Sequence, residues 1–172
     1  YPMAWGHEHS GIIVEKGKNV AYLEIGDQVV SNTYRPCMEC ENCRKGLNMH
    51  LCLNKPEEKF VMDKYGYYGN YGCGQYEVVN KKHVLKIEKK IPYEEAGFTE
   101  PVATVIQGIE RLNLLPGEQV LVVGAGTMGL LNAQIARYFG ADVIVSELIE
   151  NKINTAQKLG FEKIINPTNK NF

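Results

Sequence analysis

The chain has 172 residues, enough for one full domain or parts of two. Nineteen basic and twenty acidic side chains leave a net charge of −1, which argues against nucleic acid or an anionic membrane surface as a partner. No apolar run approaches the roughly 20 residues needed to span a bilayer, and no secretory signal opens the sequence, so a soluble, cytoplasmic protein is expected.

The first ninety residues read as short β segments separated by turns. Gly11–Gly17 is expected to be a strand ending in a turn, and Val29-Val30, Tyr76–Val79 and Val84–Ile87 are further strand candidates rich in β-branched residues. Gly26-Asp27 and glycines 66, 69, 72 and 74 are turn punctuation. Together they predict a small, barrel-like β domain. From Tyr93 to Asn113 the residues Ala96, Val102, Val105, Ile106, Ile109 and Leu112 recur at helical spacing, with Pro101 opening or interrupting a helix. Pro116-Gly117-Glu118 marks a boundary.

A β-α-β-α-β pattern follows. Gln119–Val123 is expected as a buried strand, and Thr127–Phe139 as a helix with Met128, Leu131 and Ile135 on one face. Asp142–Ser146 is the second strand, Asn151–Leu159 the second helix and Lys163–Ile165 a third strand. Strands alternating with helices imply parallel pairing and right-handed crossovers. A doubly wound domain has about six strands, so this pattern is its first half. The expected domains are therefore 1–114 and 115–172. Residue 1 is Tyr rather than Met, which suggests a processed, truncated or internal piece.

The most specific chemical signal is Cys37-Met38-Glu39-Cys40-Glu41-Asn42-Cys43 followed by Cys52, a C-x2-C-x2-C-x8-C run. Cysteines clustered in a cytosol-like setting point to metal or redox chemistry rather than disulfides. Four thiolates on one loop can close a tetrahedral shell around Zn²⁺, with no vacancy for substrate, so the site would be structural. An iron–sulfur cluster is the rival, but the ferredoxin run places its fourth cysteine where this chain has Leu47. His50 could replace Cys52 as the fourth ligand. Cys73 lies outside the cluster and reads as a packed free thiol.

Val122-Val123-Gly124-Ala125-Gly126-Thr127-Met128-Gly129 is the second signal. A lone G-x-G-x-x-G is weak, but this one follows an apolar strand and opens a helix. Gly124 permits the tight turn, Gly126 lets backbone approach a pyrophosphate, and Gly129 allows close helix–strand packing. Glu147, eighteen residues after Gly129, stands where a carboxylate accepts bonds from the adenosine ribose, which favours NAD over NADP.

Gly6-His7-Glu8-His9-Ser10-Gly11 is the third signal and says little alone. With Gly26-Asp27-Gln28-Val29, the cysteine loop and the Gly124–Gly129 turn, it resembles the zinc-dependent medium-chain dehydrogenases, sorbitol/polyol or alcohol dehydrogenase-like, over almost the whole chain. The resemblance implies an α/β plus β fold: a GroES-like β-barrel catalytic domain, N-terminally truncated, followed by the first half of a Rossmann doubly wound parallel sheet. It also implies a catalytic zinc held by His7, with Glu8 as a second ligand or near neighbour and Glu100 near the metal. Glu100-Pro101 resembles the Glu-Pro of polyol dehydrogenases, which points to a polyol or sugar alcohol, with threonine dehydrogenase-like or general alcohol dehydrogenase activity next.

The implied reaction is oxidation of a secondary alcohol to a ketone, with zinc as Lewis acid and hydride passing to NAD. A homo-oligomer is the family's habit. The sequence departs from the pattern in three places. The gap before Cys52 is one residue longer than usual, Glu147 replaces the commoner Asp, and His9 stands where an apolar or aromatic residue is frequent. The family's upstream cysteine ligand is not in the chain, so these residues alone are expected to be inactive. The rival of another class is a non-catalytic zinc-stabilised nucleotide-binding module, which needs no convergence of His7 and Glu100.

Overall fold

A computed structural model describes residues 3–32, 36–47, 51–54, 68–69 and 72–169, so His50 and Gly66 lie outside it. The chain divides into two compact units, residues 1–100 and 101–172.

In the first unit, β1 (Met3–Ala4) pairs in parallel with β4 (Tyr68–Gly69). Strands β2 (Ser10–Ile12), β3 (Gln28–Ser31) and β5 (Val84–Lys86) form an antiparallel sheet in the order β2-β3-β5. The turn before β3 is fixed by Gly26, whose φ of 89° suits glycine, and by buried Asp27. The Asp27 carboxylate accepts from the Glu24 amide at 2.9 Å and from Lys86 Nζ at 2.7 Å, and Lys86 holds its carboxyl below the usual range. A one-turn helix α1 (Glu41–Arg44) sits in the cysteine loop, and a 3-10 turn at Lys81–His83 leads into β5. Helix α2 (Tyr93–Ala96) precedes α3 (Thr99–Leu112), in which Pro101 occupies the first turn, where a missing N–H costs nothing.

Two expectations for this unit fail. The strand at Gly11 stops at Ile12; beyond it Ile13 keeps two backbone bonds, to Asp27 and Gly26, before the chain turns away. Tyr76–Val79 is not a strand: Tyr76 and Val78 point into solvent, and no ladder with another described residue runs along the segment. β-branched composition reports a fit to a pleated surface, and a strand forms only where a neighbour supplies the ladder.

In the second unit, β6 (Gln119–Val123), β7 (Asp142–Ser146) and β8 (Ile164–Ile165) form a parallel sheet in that order. Helices α4 (Thr127–Tyr138) and α5 (Glu150–Lys158) make the crossovers. The core gathers Val105 and Ile109 of α3, Val122, Val143 and Val145 of the sheet, Leu130, Ala133 and Ala136 of α4, and Ala156 and Phe161. The deepest residues of α4 are Leu130, Ala133 and Ala136, while Met128 is exposed and Leu131 and Ile135 only half-buried. Ala133 and Ala136 let the helix axis approach the sheet, with Leu130 beside them and Leu131 and Ile135 packed against the same core.

Strand β6 is not buried as expected, since Leu121 and Val123 are 58% and 79% exposed. Val120 and Val122 turn inward and the residues between them face out, because the residues of a strand alternate between faces. Among the described residues no helix is long and apolar enough to cross a membrane.

Gly129 is the tightest position in this unit. A Cβ there would collide with the Gly124 carbonyl oxygen and lie 2.9 Å from its carbon. Gly129→Ala is expected to destabilise the protein by roughly 3 kcal/mol, the upper range for forcing atoms into a packed site. A fall in Tm of more than about 10 °C should result. A variant that melts within about 2 °C of wild type would contradict the close packing of helix on turn.

Candidate functional site

The cysteine loop brings its four sulfurs together. The Sγ atoms of Cys37, Cys40, Cys43 and Cys52 all lie within 4.8 Å of one another, and Cys37 Sγ to Cys43 Sγ is 3.9 Å. A tetrahedral shell with Zn–S near ~2.3 Å has edges of about 3.8 Å, so the cage has the size zinc requires.

The local backbone builds it. Met38 adopts φ of 60°, an uncommon conformation for a side chain with a Cβ. It turns the amides of Glu39 and Cys40 back onto Cys37 Sγ at 3.4 and 3.2 Å. The Cys37 amide in turn donates to Cys52 Sγ at 3.3 Å, and Asn42 Nδ2 donates to the Leu51 carbonyl at 2.6 Å, closing the loop. Lys82 Nζ reaches Glu39 Oε1 at 2.6 Å and ties the loop to the turn before β5.

Amide bonds lower the thiols of Cys37 and Cys40. For Cys37 these come from Glu39 and Cys40; for Cys40, from Cys43 and Leu53, which bring it to about 6. Cys43, desolvated and beside Cys40, is pushed up to about 12. Four thiolates cannot share this space without a cation, and a dication such as Zn²⁺ would supply that charge.

A second cluster lies in the same unit. One ligand atom each from His7, Glu8 and Glu100 falls within 4.8 Å of the others. His7 and Glu8 precede β2 and are exposed; Glu100 is in the first turn of α3 and half-buried. A nitrogen and two carboxylate oxygens form a three-ligand set of the kind that leaves a coordination position open. Gly6, with φ of 91°, shapes the approach to His7, and a Cβ there would press on Cys73 Sγ at 2.7 Å. Cys73 is in neither cluster and is exposed rather than packed.

The Gly124–Gly129 turn joins β6 to α4. Gly124 has φ of 98° and donates its amide to Ser146 O at 2.7 Å. Among the described residues no neighbouring atom lies within 4 Å of a Cβ built on Gly126, so the backbone there is open to an approaching group. Gly126 is the N-cap of α4 with no side-chain cap, and the amides of the first turn are the helix's natural anion site.

Buried Glu147 does something the sequence did not disclose. Its Oε2 accepts from the Ala125 amide at 2.8 Å, and its Oε1 from Leu148 and Ile149 at 2.7 and 3.0 Å. A carboxylate offers about four acceptor positions, so this one braces the turn while retaining capacity for a further donor. His9 was likewise unexplained by sequence, and in the structure it meets Ser31 and Glu77. The only sequence signal for that contact is a histidine where packing alone would take an apolar residue.

Residues 1–89 match the model for the alcohol dehydrogenase GroES-like domain, just over half the chain. The chain belongs to the zinc-dependent medium-chain dehydrogenases. Among the relatives of this family, L-threonine 3-dehydrogenase of Pyrococcus furiosus is 36% identical over 167 residues, covering 96% of this chain and 45% of that one. D-xylulose reductase A of Aspergillus oryzae is 32% identical over 168 residues, covering 97% and 45%. The solved structure of a zinc-binding dehydrogenase from Clostridium scindens superposes with a TM-score of 0.80 at 29% identity, covering 99% of this chain and 46% of that one. The chain thus spans about half the length of the medium-chain dehydrogenases it matches, and the fold expected from sequence holds over that half.

The amides of Ile149, Ala125 and Leu148 hold the Glu147 carboxyl below its ordinary value. A depressed carboxylate stabilises the fold above its unfolded pKa of about 4.3, and the stabilisation is lost as pH falls through the folded value. In denaturant unfolding, the stability difference between wild type and Glu147→Gln should be full at neutral pH and shrink below about pH 4.3. A difference independent of pH would contradict the amide cage.

Proposed function

We propose that the chain is the zinc- and dinucleotide-carrying half of an NAD-linked dehydrogenase acting on a secondary alcohol, a polyol or sugar alcohol. Cys37, Cys40, Cys43 and Cys52 hold a structural zinc; His7, Glu8 and Glu100 hold a catalytic zinc; Gly124–Gly129 and Glu147 hold NAD. The single observation that carries the catalytic part is the convergence of His7, Glu8 and Glu100, since a zinc-stabilised nucleotide-binding module would need only the four cysteines.

When bound, zinc supplies Lewis acidity to the alcohol oxygen and the dinucleotide accepts the hydride. The chain's own residues do the placing. His7 and Glu8 on the approach to β2 and Glu100 on α3 fix the point at which the hydroxyl is held. Gly126 and the first turn of α4 seat the pyrophosphate and so fix the far end of the nucleotide. Glu147 accepts from the ribose with its remaining lone pair and meets a 2′-phosphate with like charge, which favours NAD over NADP.

Threonine is the second substrate reading, favoured by the similarity to the Pyrococcus furiosus threonine dehydrogenase. A small-molecule alcohol is the partner in either case, and assembly as a homo-oligomer in the cytoplasm completes the proposal.

The purified chain should bind two zinc equivalents, and Cys52→Ser should retain one. In the whole protein that carries this chain, His7→Ala should lower kcat/KM for polyol oxidation by at least about 100-fold, the loss expected when several kcal/mol of metal assistance is removed. NADH absorbance with a panel of polyols and threonine decides the substrate. A single zinc equivalent, or unchanged turnover in His7→Ala, would favour the non-catalytic module.

A further inference from the structure

We propose that His9 is a positioning residue for the metal centre of His7, Glu8 and Glu100, anchored by Ser31 and Glu77; this rests on the metal-centre reading above. His9 Nε2 lies 2.9 Å from Glu77 Oε2 and 2.9 Å from Ser31 Oγ. The side chains of His9 and Glu77 are only 18% and 14% exposed. A carboxylate only accepts, so Nε2 is assigned a proton. Both partners share one nitrogen, so this is not a nucleophile–base–acid relay, which needs the acid on the other nitrogen.

The orientation has a mechanical consequence. Nδ1 is buried, has no hydrogen-bond partner among the described residues and faces Gly72. A Cβ on Gly72 would lie 2.6 Å from Nδ1 and 2.8 Å from both the carbonyl carbon and oxygen of Gly6. Gly72 is therefore clamped between the imidazole and the peptide that leads into His7. From this position its amide donates to Gly6 O at 3.1 Å, and the next amide, of Cys73, donates to Trp5 O at 3.0 Å. The imidazole is the back wall of the segment that delivers both metal ligands.

A buried ring nitrogen without a partner costs free energy, and an apolar ring could fill the same volume without that cost. What the apolar ring lacks is the pair of polar tethers that set the ring's angle, one of them on β3. Histidine here thus trades some stability for a fixed wall.

Cobalt(II) separates the two centres, because only the cysteine site gives sulfur-to-metal charge-transfer bands. The purified chain is titrated with Co²⁺ against a chelator, comparing wild type with His9→Phe, Glu77→Ala and Glu77→Gln. His9→Phe fills the volume without tethers. Glu77→Gln keeps an acceptor for Nε2–H, whereas Glu77→Ala removes it.

The expected result is a loss of about tenfold or more in affinity at the second site for His9→Phe and Glu77→Ala, the scale of lost metal-site support. The charge-transfer bands should be unchanged and Glu77→Gln near wild type. If His9→Phe does not fold, the two Glu77 variants carry the same comparison. Unchanged second-site affinity in the variants, or equal loss at both sites, overturns the inference while leaving the metal centre standing. Uptake of only one ion by wild type overturns both.

Discussion

Four cysteine sulfurs within one sphere create a charge problem that the loop cannot solve alone, and its resolution shapes the first unit. Backbone amides stabilise ionisation at Cys37 and Cys40, yet the same crowding pushes Cys43 up to about 12. A dication would let all four ionise together, and its affinity would then be coupled to the placement of these cysteines. The left-handed backbone of Met38 and the bonds from amides to sulfur belong to that coupling, since they aim donors at atoms meant to carry charge.

The Gly124–Gly129 turn meets its own demand with protein groups alone. In our reading its backbone stays open to an anion, which leaves the turn short of internal support. Glu147 supplies it from the adjacent strand by caging its carboxylate in three amides. The same group that discriminates between ribose and phosphorylated ribose in our reading also holds the turn in shape.

Legibility followed the distance over which a signal acts. The cysteine tetrad was readable because its ligands lie within sixteen residues and their spacing is itself the geometry. Strands β6 and β7 and helix α4 were placed within a residue because glycine turns bracket them and the apolar period is clean. By contrast, His7 and Glu100 are far apart in sequence, and only the family resemblance joined them. Ser31 and Glu77 were invisible, because they meet His9 across 22 and 68 residues with no motif to mark them. The misread strand at 76–79 and the exposure along β6 show the same limit: both depend on neighbours that local sequence does not name.

Zinc K-edge X-ray absorption on the chain loaded with one equivalent of zinc tests the thiolate cage most directly. Four sulfurs at about 2.3 Å with no nitrogen or oxygen in the first shell are expected. A mixed shell, or fewer than four sulfurs, would contradict the account.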